Sequence, residues 1–335
     1  MLKKLTSVLL TLTLLLALAA CGDSGSDDGA DGDQLRDVTV ILDYTVNTNH
    51  TGLYVAKELG YYEELGLNVN MIEPADGTTP SLIAAGKGDF GVSYQEDLTL
   101  AVEQQQMPIT AIATVIQHNT SGFATLKSSG IETVADFEGK VYAGWGSEAE
   151  EAILKAVSKQ AGIDPDSVAF VTSDGSGFHG LEVGGYNIIW TYAAWDNVAA
   201  ELDGVEVNHI ELRSLDERLD YYTPILFTNH DTIENSPDLA RDFMAATSRG
   251  YEYAIENPVE AAEILHKYAP TYTLEMLTIS QEYLSGKYAE GAARWGEMKR
   301  EVWQGYADFM LETGMLDQAI DTDRCFTNEF LPELG

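Results

Sequence analysis

From residue 38 onward the chain alternates short period-two apolar runs with segments of helical period, and this alternation limits the fold more than any other feature. Residues 38–42, 67–72, 90–94 and 109–116 predict strands. Residues 51–64, a segment opened by Thr79-Pro80, and residues 97–106 predict the helices between them. A second set follows, with strands at 141–145, 168–171 and 187–192 and helices at 147–160 and 195–202. The first of these helices opens on Ser147-Glu-Ala-Glu150, a capping-box pattern. Such order implies mostly parallel sheets flanked by helices, an α/β class. A strand at 224–228 reads as a return to the first set, and the patterns from Ser236 onward are nearly all helical.

About 300 folded residues exceed one comfortable core. Two α/β lobes are therefore expected, 37–124 and 125–222, with 223–335 supplying a return strand and C-terminal helices. The crossings are expected near 122–127 and 221–228, which makes the molecule a hinged clamp. Ligands of open α/β sheets bind at the carboxyl ends of strands, and in a clamp those ends face each other.

Residues 1–20 have the form of a signal peptide: Lys3 and Lys4, then an apolar run too short for a confident span. The run ends in Leu18-Ala19-Ala20-Cys21, which resembles a bacterial lipobox and marks Cys21 for lipidation. Each acyl CH₂ adds about 0.8 kcal/mol of membrane affinity, so two or three chains would anchor the protein. Residues 21–36 are rich in Gly, Ser, Ala and Asp and form a flexible acidic tether. Extracytoplasmic localisation at the cell membrane follows.

The formal net charge is −35, and losing Lys3 and Lys4 with the signal peptide takes it to −37. So acidic a chain is no partner for nucleic acid, which requires basic surface. With Cys21 acylated, Cys325 stands alone, so neither a disulfide nor a Cys-based metal site is available. The six His lack metal-ligand spacing, and no GxSxG, HExxH or P-loop occurs. No cofactor, metal or catalytic residue is expected, and the chain reads as a monomeric binding protein.

Residues at the expected strand ends supply a candidate site. They are Tyr44, Asn47, Asn49 and His50 after the first strand, Tyr94 and Glu96 after the third, and Asn119 after the fourth. The second lobe offers Ser147, Trp190 and Tyr192, and Tyr222 lies on a crossing. Asp43, Trp145, Trp195 and Asp196 fall in the same loops. The set has aromatics, amides and carboxylates but no Lys or Arg. An anionic solute would call for a guanidinium or ammonium. A flat, uncharged or weakly basic nitrogen heterocycle would call for stacking faces and an acceptor for an exocyclic amine. Tyr44, Trp190 and Tyr192 are then stacking faces, Glu96 the acceptor, and Asn47, Asn49 and Asn119 orienting groups. The same positions also have structural readings: Ser147 as a helix cap, Asn47 and Asn49 as turn formers, His50 as a packing residue.

Several stretches carry a family resemblance. They include Asp43-Tyr-Thr-Val-Asn-Thr-Asn-His50, Gly86-Lys-Gly-Asp-Phe-Gly-Val-Ser-Tyr-Gln-Glu96, Val115-Ile-Gln-His-Asn-Thr-Ser-Gly-Phe123, Leu219-Asp-Tyr-Tyr-Thr-Pro-Ile-Leu226 and Phe326-Thr-Asn-Glu-Phe-Leu-Pro332. The chain resembles, over residues 38–332, the ThiY-like thiamine-precursor-binding lipoproteins of ABC importers. These belong with sulfonate binders and the yeast-type pyrimidine-precursor synthase in an SsuA-like periplasmic-binding family. The resemblance implies a type II periplasmic-binding fold, a ligand such as formylaminopyrimidine or hydroxymethylpyrimidine, and an ABC permease as partner. The synthase uses a Lys to hold pyridoxal phosphate and a His as atom donor. By register on the Gly-Lys-x-Asp-x-Gly stretch these fall here on Ser93 and Asp97, which argues against the enzyme. A binder of another flat heterocycle, such as riboflavin, remains open, because the Gly-rich stretch 173–186 departs from the family.

Overall fold

A computed structural model describes residues 35–74 and 78–334. The expected signal peptide over 1–20, the expected lipidation site Cys21 and most of the expected tether over 21–36 lie outside these residues. No helix among the described residues is long and apolar enough to cross a membrane.

The first lobe runs β1 (Arg36–Ile41), α1 (Thr51–Glu58), β2 (Leu67–Ile72), α2 (Thr79–Ala84), β3 (Phe90–Ser93), α3 (Gln95–Glu103) and β4 (Ile109–Thr114). The second runs β5 (Ser121–Leu126), β6 (Val141–Gly144), α4 (Glu148–Gln160), β7 (Ala169–Thr172), α5 (Gly177–Glu182), β8 (Ile188–Tyr192), α6 (Val198–Leu202), β9 (Val207–Glu211) and α7 (Leu212–Leu215). The chain then returns through β10 (Ile225–Asn229) and ends in α8 (His230–Asn235), α9 (Pro237–Glu256), α10 (Pro258–His266), α11 (Leu274–Ser285) and α12 (Arg300–Glu312).

The two five-stranded sheets, β2-β1-β3-β10-β4 and β7-β6-β8-β5-β9, share one plan. In each, one strand, β1 or β6, pairs in parallel with its two neighbours. In each, the strand that follows a crossing, β10 or β5, inserts antiparallel between two others. This is the periplasmic-binding architecture expected from the resemblance.

Three details differ from expectation. β5 lies wholly in the second sheet, so the first crossing spans 115–120 rather than 122–127, and a boundary at 124 falls inside a strand. The second crossing spans 216–224, between α7 and β10, and so starts before the expected 221. β9 was not anticipated as a strand; it is an edge strand whose residues are all half-buried, which leaves little apolar alternation to see.

Packing follows the sequence pattern. Leu67 and Val69 of β2 point inward while Asn68 and Asn70 face out. β4 is buried along its whole length, because the C-terminal segment covers its free edge: Ala111 N–H donates to Cys325 O at 2.8 Å, and Ala111 O accepts from Thr327 N–H at 2.9 Å. Cys325 itself is a buried free thiol. Helix α9, with Pro237 in its first turn, packs on α1 through small residues. A Cβ on Gly250 would lie 2.0 Å from the carbonyl oxygen of Gly52, so only glycine permits this approach.

The lobes are stitched in two further places. Asn119 Nδ2 donates to Leu219 O at 2.9 Å, and Asn119 N–H donates to Asp220 Oδ1 at 2.8 Å, which binds one crossing to the other. Helix α12 spans both cores: Trp303 packs with Tyr222 and Ile225, whereas Tyr306, Phe309 and Met310 pack with Phe123, Tyr142 and Tyr221.

Candidate ligand-binding cleft

Between the lobes lies a cavity of about 440 Å³. This size suits a small molecule, for which clefts of roughly 300–1,000 Å³ are usual. Its walls come from the carboxyl ends of β1, β3, β6 and β8, where an open α/β sheet exposes its loops. The first lobe contributes Asp43, Tyr44, Asn47, Thr48 and Asn49 after β1, Tyr94 and Glu96 around the start of α3, and Ile116 and Thr120 from the first crossing. The second contributes Trp145, Glu150 and Ile153, then Trp190 and Tyr192 of β8, and Ala194, Trp195 and Asp196 just beyond it. Tyr221, Thr223 and Pro224 close the hinge side.

Local structure explains each placement. Asn47 caps the turn Thr48–His50: its Oδ1 accepts from Asn49 N–H at 2.9 Å, and its own N–H donates to His50 Nδ1 at 3.2 Å. Because Nδ1 accepts, the His50 proton sits on Nε2, which donates to Asp43 Oδ1 at 2.8 Å. The loop thus aims Asp43 at the cavity with a buried histidine behind it.

Glu96 sits in the first turn of α3, where the helix dipole favours an anion. Tyr306 donates to its Oε2 at 2.9 Å. Burial nevertheless dominates, reinforced by Asp97 and Glu150, and pushes the Glu96 carboxyl up to about 7. Across the cleft, Ser147 caps α4 by accepting from Glu150 N–H at 3.1 Å. The Glu150 side chain turns back to take the Tyr142 hydroxyl and, at 3.0 Å, Gly146 N–H. Gly144 makes room for it: a Cβ there would strike the carboxylate. Burial raises the Glu150 and Asp196 carboxyls from their ordinary values. Asp196 lies in a single π turn, Ala193–Asn197, and accepts from Tyr192 N–H at 2.7 Å.

The aromatic walls are unevenly covered. Tyr44 is 62 % exposed and Trp145 53 % exposed, so their faces stand open at the mouth. Trp190 packs edge-on against Trp145 and Phe123 at 5.4 and 5.7 Å, and its Nε1 is buried without a partner. Among the described residues, no Lys, Arg or His lines the cavity.

A family model described as "NMT1/THI5 like" matches residues 47–261, more than half of the chain. This chain belongs to the NMT1/THI5-like family. Among its relatives, a "4-amino-5-hydroxymethyl-2-methylpyrimidine phosphate synthase" of Legionella pneumophila is 28% identical, the match covering 88% of this chain and 92% of that one. A "Formylaminopyrimidine-binding protein" of Halalkalibacterium halodurans is 26% identical over 95% of this chain and 97% of its own length. In fold the chain is similar to the periplasmic aliphatic sulphonate binding protein SsuA of Escherichia coli, with a TM-score of 0.69 at 15% identity, covering 89% of this chain and 94% of that one.

Of the residues singled out in this NMT1/THI5-like sequence, Tyr44, Asn47, Asn49, Tyr94, Glu96, Trp190 and Tyr192 line the cavity together. Four others do not. His50 is buried behind Asp43; Asn119 is buried between the crossings, its Oδ1 accepting from Ser121; Ser147 caps α4. Tyr222 is buried too, its hydroxyl accepting from Lys299 N–H at 2.8 Å and its N–H donating to Gln95, while its neighbour Tyr221 faces the cavity. Sequence reasoning missed Tyr221 and Glu150. The parity of the crossing could have favoured either tyrosine, and the capping-box pattern assigned Glu150 a purely local role.

Proposed function

We propose that this chain is an extracytoplasmic solute-binding lipoprotein, anchored at Cys21, that captures an aminopyrimidine precursor of thiamine and presents it to an ABC permease. The observation that carries the reading is the chemistry of the cleft: aromatic faces, amides and carboxylates, with no cationic side chain in its lining. A sulfonate or nitrate would be repelled by such walls. A flat ring with an exocyclic amine instead finds stacking faces in Tyr44, Trp190 and Tyr192 and an acceptor in Glu96. Stacking adds about 0.5–1.5 kcal/mol per ring pair beyond area burial. A hydrogen bond to a charged acceptor adds about 1.5–3 kcal/mol. Two stacks with one such bond and several neutral ones reach micromolar binding after association costs. The similarity to a formylaminopyrimidine-binding protein over nearly the whole of both chains supports the same ligand class.

The two crossings then act as the hinge of a clamp that works as a monomer. Ligand contacts drawn from both lobes favour the closed form only by their greater affinity for it. A permease that recognises that form completes the import cycle.

The similarity to a synthase supports a second reading, an enzyme. It is the weaker one. The positions that the resemblance gives to the cofactor lysine and the donor histidine hold Ser93 and Asp97, and Ser93 Oγ donates to Asp97 Oδ2 at 3.3 Å. Neither side chain forms a Schiff base.

Calorimetry of the full chain with formylaminopyrimidine, hydroxymethylpyrimidine, riboflavin and taurine tests the proposal. Micromolar or tighter binding of either pyrimidine, with none of taurine, is expected. Binding of taurine alone would refute the ligand class, and riboflavin alone would move the site to a larger ring system.

A further inference from the structure

We infer that the cleft selects its ligand as a cation; this rests on the aminopyrimidine reading and adds the charge state to it. Four carboxylates line the cavity, those of Asp43, Glu96, Glu150 and Asp196, and Asp97 stands directly beside Glu96. Every hydrogen bond they accept comes from an uncharged donor. Asp43 takes His50 Nε2–H, Glu96 the Tyr306 hydroxyl, and Asp97 the Ser93 hydroxyl. Glu150 takes the Tyr142 hydroxyl and Gly146 N–H, and Asp196 takes Tyr192 N–H.

Among the described residues, none of the five pairs with Lys or Arg, whereas several acids elsewhere do, as Asp216 does with Arg218 and Glu64 with Arg249. A solvated surface tolerates unpaired acids, but a partly buried cleft does not, because like charges out of water repel strongly. Glu96 shows the consequence, since burial with Asp97 and Glu150 nearby raises it to about 7. A ligand bearing one positive charge relieves this repulsion, whereas a neutral ligand leaves it in place.

The walls point the same way. The π faces of Tyr44 and Trp145 are open at the mouth, and an aromatic face attracts a cation. Trp190 adds a buried, unpartnered Nε1–H, a donor for a ligand acceptor such as a hydroxyl. The ligand class is therefore a protonated amino-heterocycle with a polar substituent.

An isosteric series separates charge from shape. 4-Amino-5-hydroxymethyl-2-methylpyrimidine is largely neutral at pH 8. The matching pyridine, which keeps the ring nitrogen opposite the amine, is a cation at that pH. The matching aniline, with both ring nitrogens replaced by CH, is neutral. Calorimetry at pH 8 on the full chain is expected to rank them pyridine, pyrimidine, aniline, with the pyridine about tenfold or more tighter than the pyrimidine. Asp196→Asn, whose amide oxygen still accepts from Tyr192 N–H, is expected to narrow that ratio severalfold. Affinities within threefold of one another, or an aniline that binds tightest, would overturn charge selection while leaving the aminopyrimidine reading intact. If none of the three binds, that reading falls and the charge inference with it.

Discussion

Replacing Glu96 by Gln should make the ligand-free protein more stable at pH 8 and leave it unchanged near pH 4.5. In the folded chain burial, with Asp97 and Glu150 nearby, lifts the Glu96 carboxyl from 4.5 to about 7. The folded state therefore holds a proton that the unfolded chain has released between those values, and stability falls as pH rises through that window. At about 1.4 kcal/mol per pH unit the cost above pH 7 is roughly 3 kcal/mol, which solvent reaching this half-buried group trims to about 1–3 kcal/mol. Glutamine carries no charge, and its amide oxygen still accepts from the Tyr306 hydroxyl. At about 2 °C or more per kcal/mol, the variant should melt about 2–6 °C above the parent at pH 8. Thermal unfolding followed by circular dichroism at pH 4.5 and pH 8 reads this difference. In the same variant, pyrimidine affinity should fall by about 1–3 kcal/mol, the trade expected where a site is strained for binding. A variant no more stable than the parent at pH 8, or equally stabilised at both pH values, would refute the burial of an uncompensated charge.

Two further substitutions probe the frame and the wall. Gly250→Ala sets a Cβ 2.0 Å from the backbone oxygen of Gly52, so α1 and α9 must separate; a loss of about 1–3 kcal/mol in urea denaturation is expected, and no loss would contradict the close packing. Trp190→Ala removes the ring between Phe123 and Trp145. Stability should drop by roughly 2–4 kcal/mol and pyrimidine affinity tenfold or more, and unchanged affinity in a folded variant would take Trp190 out of the site.

Much of this architecture was legible because its strands are buried and strongly patterned. β2 matches its expected bounds, residues 67–72, since Leu67 and Val69 alternate with asparagines. β5 was mistaken for a crossing: Gly122 breaks its alternation, and its position in the sheet is set by β8 and β9, far along the chain. Strand ends named the loops of the cleft correctly, but not which side chain of each loop turns inward. His50 and Asn119 show why. Each is a polar residue in the right loop, yet a backbone donor or a neighbouring carboxylate claims it for the scaffold. Glu150 was hidden for the opposite reason. Its spacing from Ser147 satisfies a helix start, whereas the fold bends its carboxylate into the gap left by Gly144.

A crystal structure of the protein with 4-amino-5-hydroxymethyl-2-methylpyrimidine would decide whether this cleft holds such a ring. The ring should lie against Tyr44 and Trp190, its amine on Glu96, with the lobes drawn together about residues 115–120 and 216–224. A ring bound outside the cleft, or an acidic solute held there by a lysine or arginine, would contradict the account.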